Sequence, residues 1–315
     1  MINTRIGETM KVLVTGGAGF IGSNLALELQ DRGYEVIVLD DFSSGHFKNL
    51  VGFEGDIVAE SILDVDLNRF KDVDVIFHQA AITDTTVQDQ KLMMQINTEG
   101  FRRFLDFAVE NNIKFIYASS AATYGNAPAP QKEEYAGKPN NIYGFSKWIC
   151  DCIAKKYMEK YPDAHIVGLR YFNVFGPREQ YKGKMASMIW QLAKQMIEGK
   201  SPKIFKWGEQ KRDQVYVKDV VRANLLAMDA KESCIVNVGS GRAVTFNYII
   251  EVLNKVLGFD YTPEYIDNPY KEFYQEHTEA DLSKAKKYLG YKPEWEFERA
   301  VEDYIKWLKE NKYIK

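Results

Sequence analysis

A glycine-rich turn near the amino terminus constrains the fold more than any other feature of the sequence. The segment Val14-Thr15-Gly16-Gly17-Ala18-Gly19-Phe20-Ile21-Gly22 follows an apolar strand candidate, Lys11–Val14, and leads into a helical pattern over Ser23–Arg32 that ends at Gly33. A second β-branched run follows at Glu35–Leu39. A strand, a turn, a helix and a strand in this order form a βαβ unit, so we expect two parallel strands in one sheet.

The same alternation of strands and helices continues along the first half of the chain. Further strand candidates lie at Val75–Phe77, Phe115–Ala118 and His165–Leu169, with helical patterns between them. Strands that alternate with helices build a parallel sheet with helices on both faces. We therefore predict an α/β fold with a Rossmann-like doubly wound parallel sheet.

The alternation breaks down after Pro177, where loops and mixed segments follow. At 315 residues the chain is longer than a usual single domain. We predict a dinucleotide-binding domain over residues 10–177, to which part of 230–258 returns. A smaller C-terminal α/β domain over residues 178–315 should mainly bind the substrate.

Composition excludes several classes of protein. A formal net charge of −3 gives no basic surface for nucleic acid, and the longest apolar runs, such as Val36–Leu39, are far too short to span a bilayer. Three cysteines are too few for a disulfide framework, and four scattered histidines support no metal site. Residues 1–9 lack the apolar core of a secretory signal, so we expect a cytoplasmic protein.

The turn itself predicts a bound dinucleotide. Gly16, Gly19 and Gly22 would let the backbone approach a pyrophosphate, and the N-terminus of the following helix offers N–H groups and a partial positive charge to that anion. Asp40 ends the second strand, where a carboxylate accepts hydrogen bonds from the adenosine ribose of NAD and repels the 2′-phosphate of NADP.

Other polar residues near Asp40 leave the choice of cofactor open. His46 and Lys48 follow closely, and a basic residue there could accommodate the extra phosphate of NADP. A solvated position in a loop is an equally good reading of both side chains. Asp56 could contact the adenine or cap a helix.

A second constellation predicts redox chemistry on an alcohol. Tyr143 and Lys147 are four residues apart and share one face of a helix, while Ser119 and Ser120 end a strand. An ammonium group beside a tyrosine favours its phenolate form, which can accept a proton from an alcohol. Ser120 would hold that alcohol while its carbon gives hydride to a nicotinamide.

Together these motifs resemble the extended short-chain dehydrogenase/reductase family, whose members mostly act on nucleotide sugars. Within it the chain is similar to the ADP-glycero-manno-heptose 6-epimerases. The residues that carry the resemblance are the glycine-rich turn, His78-Gln79-Ala80-Ala81, Asn97, Tyr117 to Gly125, Tyr143 with Lys147, Arg170 to Pro177, Arg178-Glu179, Lys182, Met185-Ala186-Ser187 and Lys211-Arg212-Asp213.

The resemblance implies NADP as cofactor, an ADP-heptose substrate for the lipopolysaccharide core, and a homo-oligomer, often a pentamer. Cofactor contacts would come from Phe20, Ile21, Asp40, Asp41, Gln79, Ala80, Ala81, Thr83, Asn97, Tyr143, Lys147 and Val174. Substrate contacts would come from Asn173, Lys184, Gln191, Phe205, Arg212 and Tyr274, although the family often has serine where Lys184 stands and histidine where Gln191 stands.

Inverting a secondary alcohol requires removing hydride from one face and returning it to the other, so protons must be exchanged at two positions. Tyr143 can serve one epimer, and the resemblance makes Lys182 the acid or base for the other.

Three other functions compete with a 6-epimerase. A 4,6-dehydratase is disfavoured because Ala121 and Ala122 follow Ser120 where an acidic pair would be needed. A nucleotide-sugar 4-epimerase of UDP-hexoses or uronates needs no second base and stays open. A non-catalytic module that senses the nicotinamide cofactor would have no use for Tyr143, Lys147 and Ser120 together.

Overall fold

A seven-stranded parallel sheet forms the centre of the molecule, in a computed structural model that describes residues 9–87, 89–269 and 275–314. The strand order is β10-β6-β5-β4-β1-β2-β3. Its strands are β1 Lys11–Thr15, β2 Glu35–Leu39, β3 Asp56–Val58, β4 Val75–His78, β5 Lys114–Ser120, β6 Ile166–Tyr171 and β10 Cys234–Val238. The chain winds outward from β1 in both directions, so the predicted doubly wound sheet is confirmed.

Helices cover both faces of this sheet. They are α1 Phe20–Asp31, α2 Gln90–Met94, α3 Phe101–Glu110, α4 Ile142–Lys160 and α6 Val217–Met228, and a π-helical turn, Gln95–Gly100, joins α2 to α3. Val12 and Val14 pack in one hydrophobic cluster and Leu13 in another, because successive strand residues point to opposite faces. Burial on both faces explains the continuous apolar runs in the sequence.

Most of the chain from Asn173 onward builds a smaller layer beside the sheet. Its strands are β7 Asn173–Phe175, β8 Lys203–Phe205, β9 Lys211–Tyr216, β11 Ala243–Thr245, β12 Glu264–Ile266 and β13 His277–Thr278, and its helices are α5 Met188–Ile197, α7 Phe246–Leu257 and α9 Phe297–Glu310. Helix α8, Ser283–Leu289, packs instead in the core of the large sheet, through Ala285 and Leu289. Strand β9 pairs with β7, β11 and β13, and β8 pairs with β12. Apolar faces of α5, α7 and α9 share one core with Phe175 and Tyr216.

The two predicted domains exchange segments of chain. Strand β10, within residues 230–258, pairs in parallel with β6 and completes the large sheet, whereas α7 of the same segment packs in the smaller layer. Helix α6 also covers the large sheet, with Val220 and Ala223 in its core. Among the described residues, no helix is long and apolar enough to cross a membrane.

A buried ion pair ties α4 to β6. Arg170 donates from Nε to Asp151 Oδ2 at 2.9 Å, and neither side chain is more than 1% exposed. Asp151 Oδ1 also accepts from the Tyr117 hydroxyl at 2.8 Å, and Arg170 Nη1 donates to the Glu133 carbonyl at 2.8 Å. These bonds satisfy two charges that would otherwise be costly to bury.

We expect Asp151→Ala to destabilise the protein by about 3–5 kcal/mol, because it leaves the Arg170 guanidinium buried without its counter-charge. Glu28→Ala is the matched control, since Glu28 pairs with Arg32 at 2.7 Å on the exposed face of α1 and should contribute at most about 1 kcal/mol. Urea-induced unfolding measures both. Equal losses in the two variants would contradict this account of the ion pair.

Candidate active site

A cleft of about 1190 Å³ opens at the carboxyl ends of the parallel strands and extends to the smaller layer. Ligands of doubly wound sheets bind at this edge. Many residues predicted for the site line the cleft: Gly16, Gly19, Phe20, Ile21, Gly22, Asp40, Asp41, Gln79, Ala80, Ala81, Thr83, Ser120, Tyr143, Lys147, Asn173, Val174, Lys182, Phe205 and Arg212.

The glycine-rich turn forms the floor of one end of the cleft. Gly16 has φ +66°, and a Cβ there would lie 2.7 Å from the backbone of Ala80. At Gly22 a Cβ would lie 2.2 Å from the Gly16 carbonyl oxygen. Helix α1 begins after Gly19 without a side-chain cap, so its first N–H groups keep their capacity to bind an anion.

Asp40 ends β2 inside the cleft and also holds the turn together. Its carboxylate accepts from the Ala18 N–H at 2.9 Å and from the Phe42 N–H at 2.8 Å. Burial raises the pKa of Asp40, and these two hydrogen bonds oppose the rise. Each carboxylate oxygen has further lone pairs with which to accept a ribose hydroxyl.

Tyr143 and Lys147 lie on α4, which begins where the Asn141 side chain accepts from the Gly144 N–H at 2.8 Å. Lys147 is buried, and its Nζ donates to the Ala118 carbonyl at 2.8 Å. Burial lowers the pKa of Lys147 and raises that of Tyr143. Ser120 opposes the rise in the pKa of Tyr143, so the serine hydroxyl lies within interaction range of the phenol.

Lys182 reaches the cleft from the opposite side. It lies in a 3₁₀ segment, Gln180–Met185, with its Nζ 5.4 Å from the centroid of the Phe20 ring. Burial lowers the pKa of Lys182, and the negative charge of Glu179 opposes this. Glu179 is fully buried and fastens the segment, since its carboxylate accepts from the Gly176 N–H at 3.1 Å and from the Ser187 hydroxyl at 2.8 Å.

Asn97, which was predicted to contact the cofactor, is not among the residues that line the cleft. Its side chain accepts from the Ile82 N–H at 2.8 Å, and it donates to the Ile82 carbonyl and the Ser146 hydroxyl, each at 3.0 Å. Asn97 therefore ties the loop after β4 to α4, and it positions the cofactor side of the cleft from behind.

Two predicted cofactor contacts also lie outside the cleft. Lys48 is exposed on a short 3₁₀ helix, Phe47–Leu50, and Asp56 is exposed at the start of the edge strand β3. Neither lines the cleft, because the chain turns toward solvent between the ends of β2 and β3. The neighbouring His46 ring stacks on Tyr181 at 3.8 Å between centroids, beside Lys182.

Of the predicted substrate contacts, Lys184 and Gln191 lie outside the cleft. Lys184 Nζ donates to the Thr86 hydroxyl at 2.7 Å, and Gln191 Nε2 donates to the Ala186 carbonyl at 2.7 Å. Both side chains brace the Lys182 segment on its outer side. Tyr274 lies outside the described residues.

Among the polar residues of the cleft that the sequence analysis did not predict as ligand contacts are Ser119, Gln210 and Gln214. Each has a buried side-chain oxygen without a hydrogen-bond partner among the described residues. Gln210 and Gln214 lie two residues before and two residues after Arg212. Had strand β9 been predicted, its two-residue period would have placed all three side chains on one face.

Neither a metal site nor a disulfide emerges from the part of the chain that is described. No group of three His, Cys, Asp or Glu side chains there could hold a metal ion, and the three cysteines are free thiols. The polar groups that line the cleft are instead carboxylates, hydroxyls, lysines, an arginine and amides.

Residues 12–239 match the NAD dependent epimerase/dehydratase family. The chain belongs to this family. Its fold is similar to that of the ADP-L-glycero-D-manno-heptose-6-epimerase of Helicobacter pylori, with 43% sequence identity, coverage of 96% of this chain and 97% of that chain, and a TM-score of 0.89. The recognition made from the sequence is thereby confirmed.

Two 4-epimerases are more distant but equally complete matches. The UDP-N-acetylglucosamine 4-epimerase of Methanobrevibacter ruminantium is 33% identical, with coverage of 96% and 99% of the two chains and a TM-score of 0.90. The UDP-glucuronic acid 4-epimerase of Bacillus cereus, solved with UDP-glucuronic acid and NAD, is 28% identical, with coverage of 96% and 100% and a TM-score of 0.84. All three similar structures are of nucleotide-sugar epimerases, and the B. cereus enzyme was solved with NAD.

We expect Tyr143→Phe to lower kcat by about 10²–10⁴-fold, because the variant loses the group that exchanges a proton with the substrate alcohol. Cofactor affinity should stay within about twofold, since Tyr143 contributes little to the adenosine and pyrophosphate end. Turnover and cofactor binding by fluorescence titration measure the two effects. A variant with full turnover would exclude Tyr143 as the acid or base.

Proposed function

We propose that this epimerase interconverts ADP-D-glycero-D-manno-heptose and ADP-L-glycero-D-manno-heptose by inverting C6. The observation that carries the proposal is the pair of proton-transfer groups in one cleft, Tyr143 on α4 and Lys182 on the facing segment. The identity of 43% to a heptose 6-epimerase supports the same substrate.

The residues in the cleft fit a nicotinamide dinucleotide. The glycine-rich turn would hold the pyrophosphate, since a Cβ at Gly16 or Gly22 would collide with the backbone that closes the turn. Asp40 would accept from the adenosine ribose. When bound, the nicotinamide supplies the site that takes hydride from the sugar and gives it back.

Tyr143, Lys147 and Ser120 would carry out proton exchange for one of the two epimers. Ser120 ends β5 with its hydroxyl within interaction range of the Tyr143 phenol, so a substrate hydroxyl placed between them would be held at the phenol oxygen. The buried ammonium of Lys147 favours the phenolate by its charge and lowers the cost of removing the proton. Tyr143 would take or return the proton of the C6 alcohol for one epimer.

Lys182 would do the same for the other epimer. Its burial lowers its pKa, which brings an amine closer to the range where it can both donate and accept a proton. Glu179 fixes the segment that carries it through hydrogen bonds to Gly176 and Ser187. After oxidation at C6, rotation of the side chain of the sugar would present its other face to the cofactor and its oxygen to Lys182.

A UDP-sugar 4-epimerase is the second candidate, favoured by the similarity to the 4-epimerases of M. ruminantium and B. cereus. Such an enzyme turns the whole keto-sugar and uses one acid or base for both epimers. Lys182 therefore separates the two functions.

We expect the purified enzyme to convert ADP-D-glycero-D-manno-heptose to the L-glycero epimer, as measured by proton NMR of the sugar. Lys182→Met should lower this conversion by about 10²-fold or more, while cofactor binding is retained. Lys184→Met is the matched control, because Lys184 lies on the same segment with its Nζ outside the cleft, on Thr86. An unchanged heptose together with epimerised UDP-glucose would establish the 4-epimerase instead.

The resemblance implies NADP as the cofactor, whereas the structure sets the Asp40 carboxylate in the cleft and Lys48 outside it. A carboxylate there repels a 2′-phosphate. We expect Asp40→Asn to improve the affinity for NADP relative to NAD by about tenfold, measured as the ratio of the two dissociation constants. A ratio that does not move would show that Asp40 does not face the 2′ position.

The remaining parts of the proposal rest on the family resemblance alone. They are a homo-oligomer, often a pentamer in this family, a cytoplasmic location and a role in supplying lipopolysaccharide core precursors. Light scattering of the purified enzyme tests the oligomer.

A further inference from the structure

Strand β9 carries a row of polar side chains on the face that lines the cleft. Arg212 and Gln214 alternate on β9 with Gln210 immediately before it, and all three line the cleft although none is more than 8% exposed. Asp213, between them, points the other way and accepts N–H bonds from Ser240, Gly241 and Ala280. The alternation follows from the two-residue period of a strand.

Both glutamines present an unsatisfied acceptor. Gln210 Nε2 donates to the Lys206 carbonyl at 2.8 Å, which fixes the amide, yet its Oε1 is buried without a partner among the described residues. Gln214 Oε1 is likewise buried and unpaired there. Leaving a buried acceptor unsatisfied is destabilising, so two of them on one face of a cleft indicate hydrogen-bond donors on the ligand.

The chemistry of a nucleotide sugar limits where those donors can be. A diphosphate offers only acceptors and suits the Arg212 guanidinium, while hydroxyl and amino donors lie on either side of it, on the nucleoside and on the sugar. Alternate residues of a strand are about 6.6 Å apart, comparable to the length of a diphosphate. These three alternate positions, Gln210 just before β9 and Arg212 and Gln214 on it, can therefore contact three successive parts of one ligand.

The neighbours of each glutamine decide the direction. Gln214 pairs in register with Asn173 of β7. Asn173 lies two residues after Tyr171, the last residue of β6, and Tyr171 pairs in register with Ser120. Gln214 is thereby placed at the end of the cleft that holds Ser120 and Tyr143, the proposed reacting group. Gln210 is tied to Lys206, next to Phe205, an aromatic ring that also lines the cleft.

On the basis of the proposed function, we infer that β9 fixes the direction in which the substrate lies along the cleft. Gln214 accepts a hydrogen bond from a hydroxyl of the sugar, Arg212 binds the diphosphate, and Gln210 accepts a hydrogen bond from a donor of the nucleoside. Gln214 is then a specificity-determining residue that recognises the sugar, and Gln210 recognises the nucleoside. Neither forms or breaks a bond of the reaction.

The inference is tested with Gln214→Met and Gln210→Met, which keep side-chain length and remove the acceptor. Calorimetric titration in a Tyr143→Phe background, where the sugar is not turned over, gives affinities for ADP and for ADP-heptose. Gln214→Met should weaken ADP-heptose about 3–10-fold and leave ADP within about twofold, whereas Gln210→Met should weaken both ligands equally. Gln30→Met, on the outer face of α1, should change neither.

A second readout separates this role from a structural one. Because Gln214→Met removes an unpaired buried oxygen, the melting temperature of the unliganded protein should not fall in that variant. If Gln214→Met does not fold, Gln214→Asn, which withdraws the oxygen by one methylene, should give the same selective loss of ADP-heptose. Equal losses of ADP and ADP-heptose in the Gln214 variant, or no loss in either variant, would overturn the inference.

The proposed substrate is tested separately by the protein that carries only Tyr143→Phe. If that protein binds UDP and UDP-glucose but neither ADP nor ADP-heptose, the heptose assignment fails. The glutamine variants are then titrated with UDP and UDP-glucose, and Gln214→Met should weaken UDP-glucose only, whereas Gln210→Met should weaken both. Binding of no nucleotide at all would overturn both.

Discussion

The contact between Gly16 and the backbone of Ala80 is the constraint on which the site depends. Strand β1 pairs with β2 on one side and β4 on the other, so the glycine-rich turn after β1 and the loop after β4 leave the sheet side by side. A Cβ at Gly16 would lie 2.7 Å from Ala80 and force these two loops apart. Their close approach makes the glycine-rich turn and the loop after β4 neighbouring walls of one continuous cleft.

The burial of Lys147 in the cleft lowers the stability of the folded protein. An ammonium group that is nearly fully buried and donates to the Ala118 carbonyl is destabilised by desolvation, which the lowered pKa records. A methionine of similar length would pack there without that penalty. A positive charge is, however, what the role predicted for Tyr143 requires, because a nearby cation favours the phenolate form.

Several parts of the site were predictable because they follow from local geometry. The spacing of Tyr143 and Lys147 fixes them on one helix face, and the position of Asp40 at the end of an apolar run fixes it at the edge of the sheet. Lys48 was not predictable in this way, because it depends on the path of an irregular loop. The resemblance identified Asn97 but not its role, since sequence similarity cannot distinguish a contact with the ligand from a contact behind it.

Strand β9 was harder to predict from sequence for a different physical reason. Lys211-Arg212-Asp213-Gln214 is polar at four successive positions, whereas strand signals depend on β-branched and aromatic residues. It forms a strand because Asp213 is satisfied by backbone N–H groups from Ser240, Gly241 and Ala280. Tertiary hydrogen bonds thus replace local propensity where the site needs polar side chains.

The segment that carries Lys182 joins the two layers of the molecule physically. The Tyr181 ring stacks on His46, which lies in the loop after β2. The Tyr181 hydroxyl lies 3.0 Å from the Tyr313 hydroxyl, near the C-terminus. Glu179, at the other end, accepts from Gly176 and Ser187. The segment that carries Lys182 is therefore held by contacts from both layers, and this bracing limits the positions open to the flexible lysine side chain.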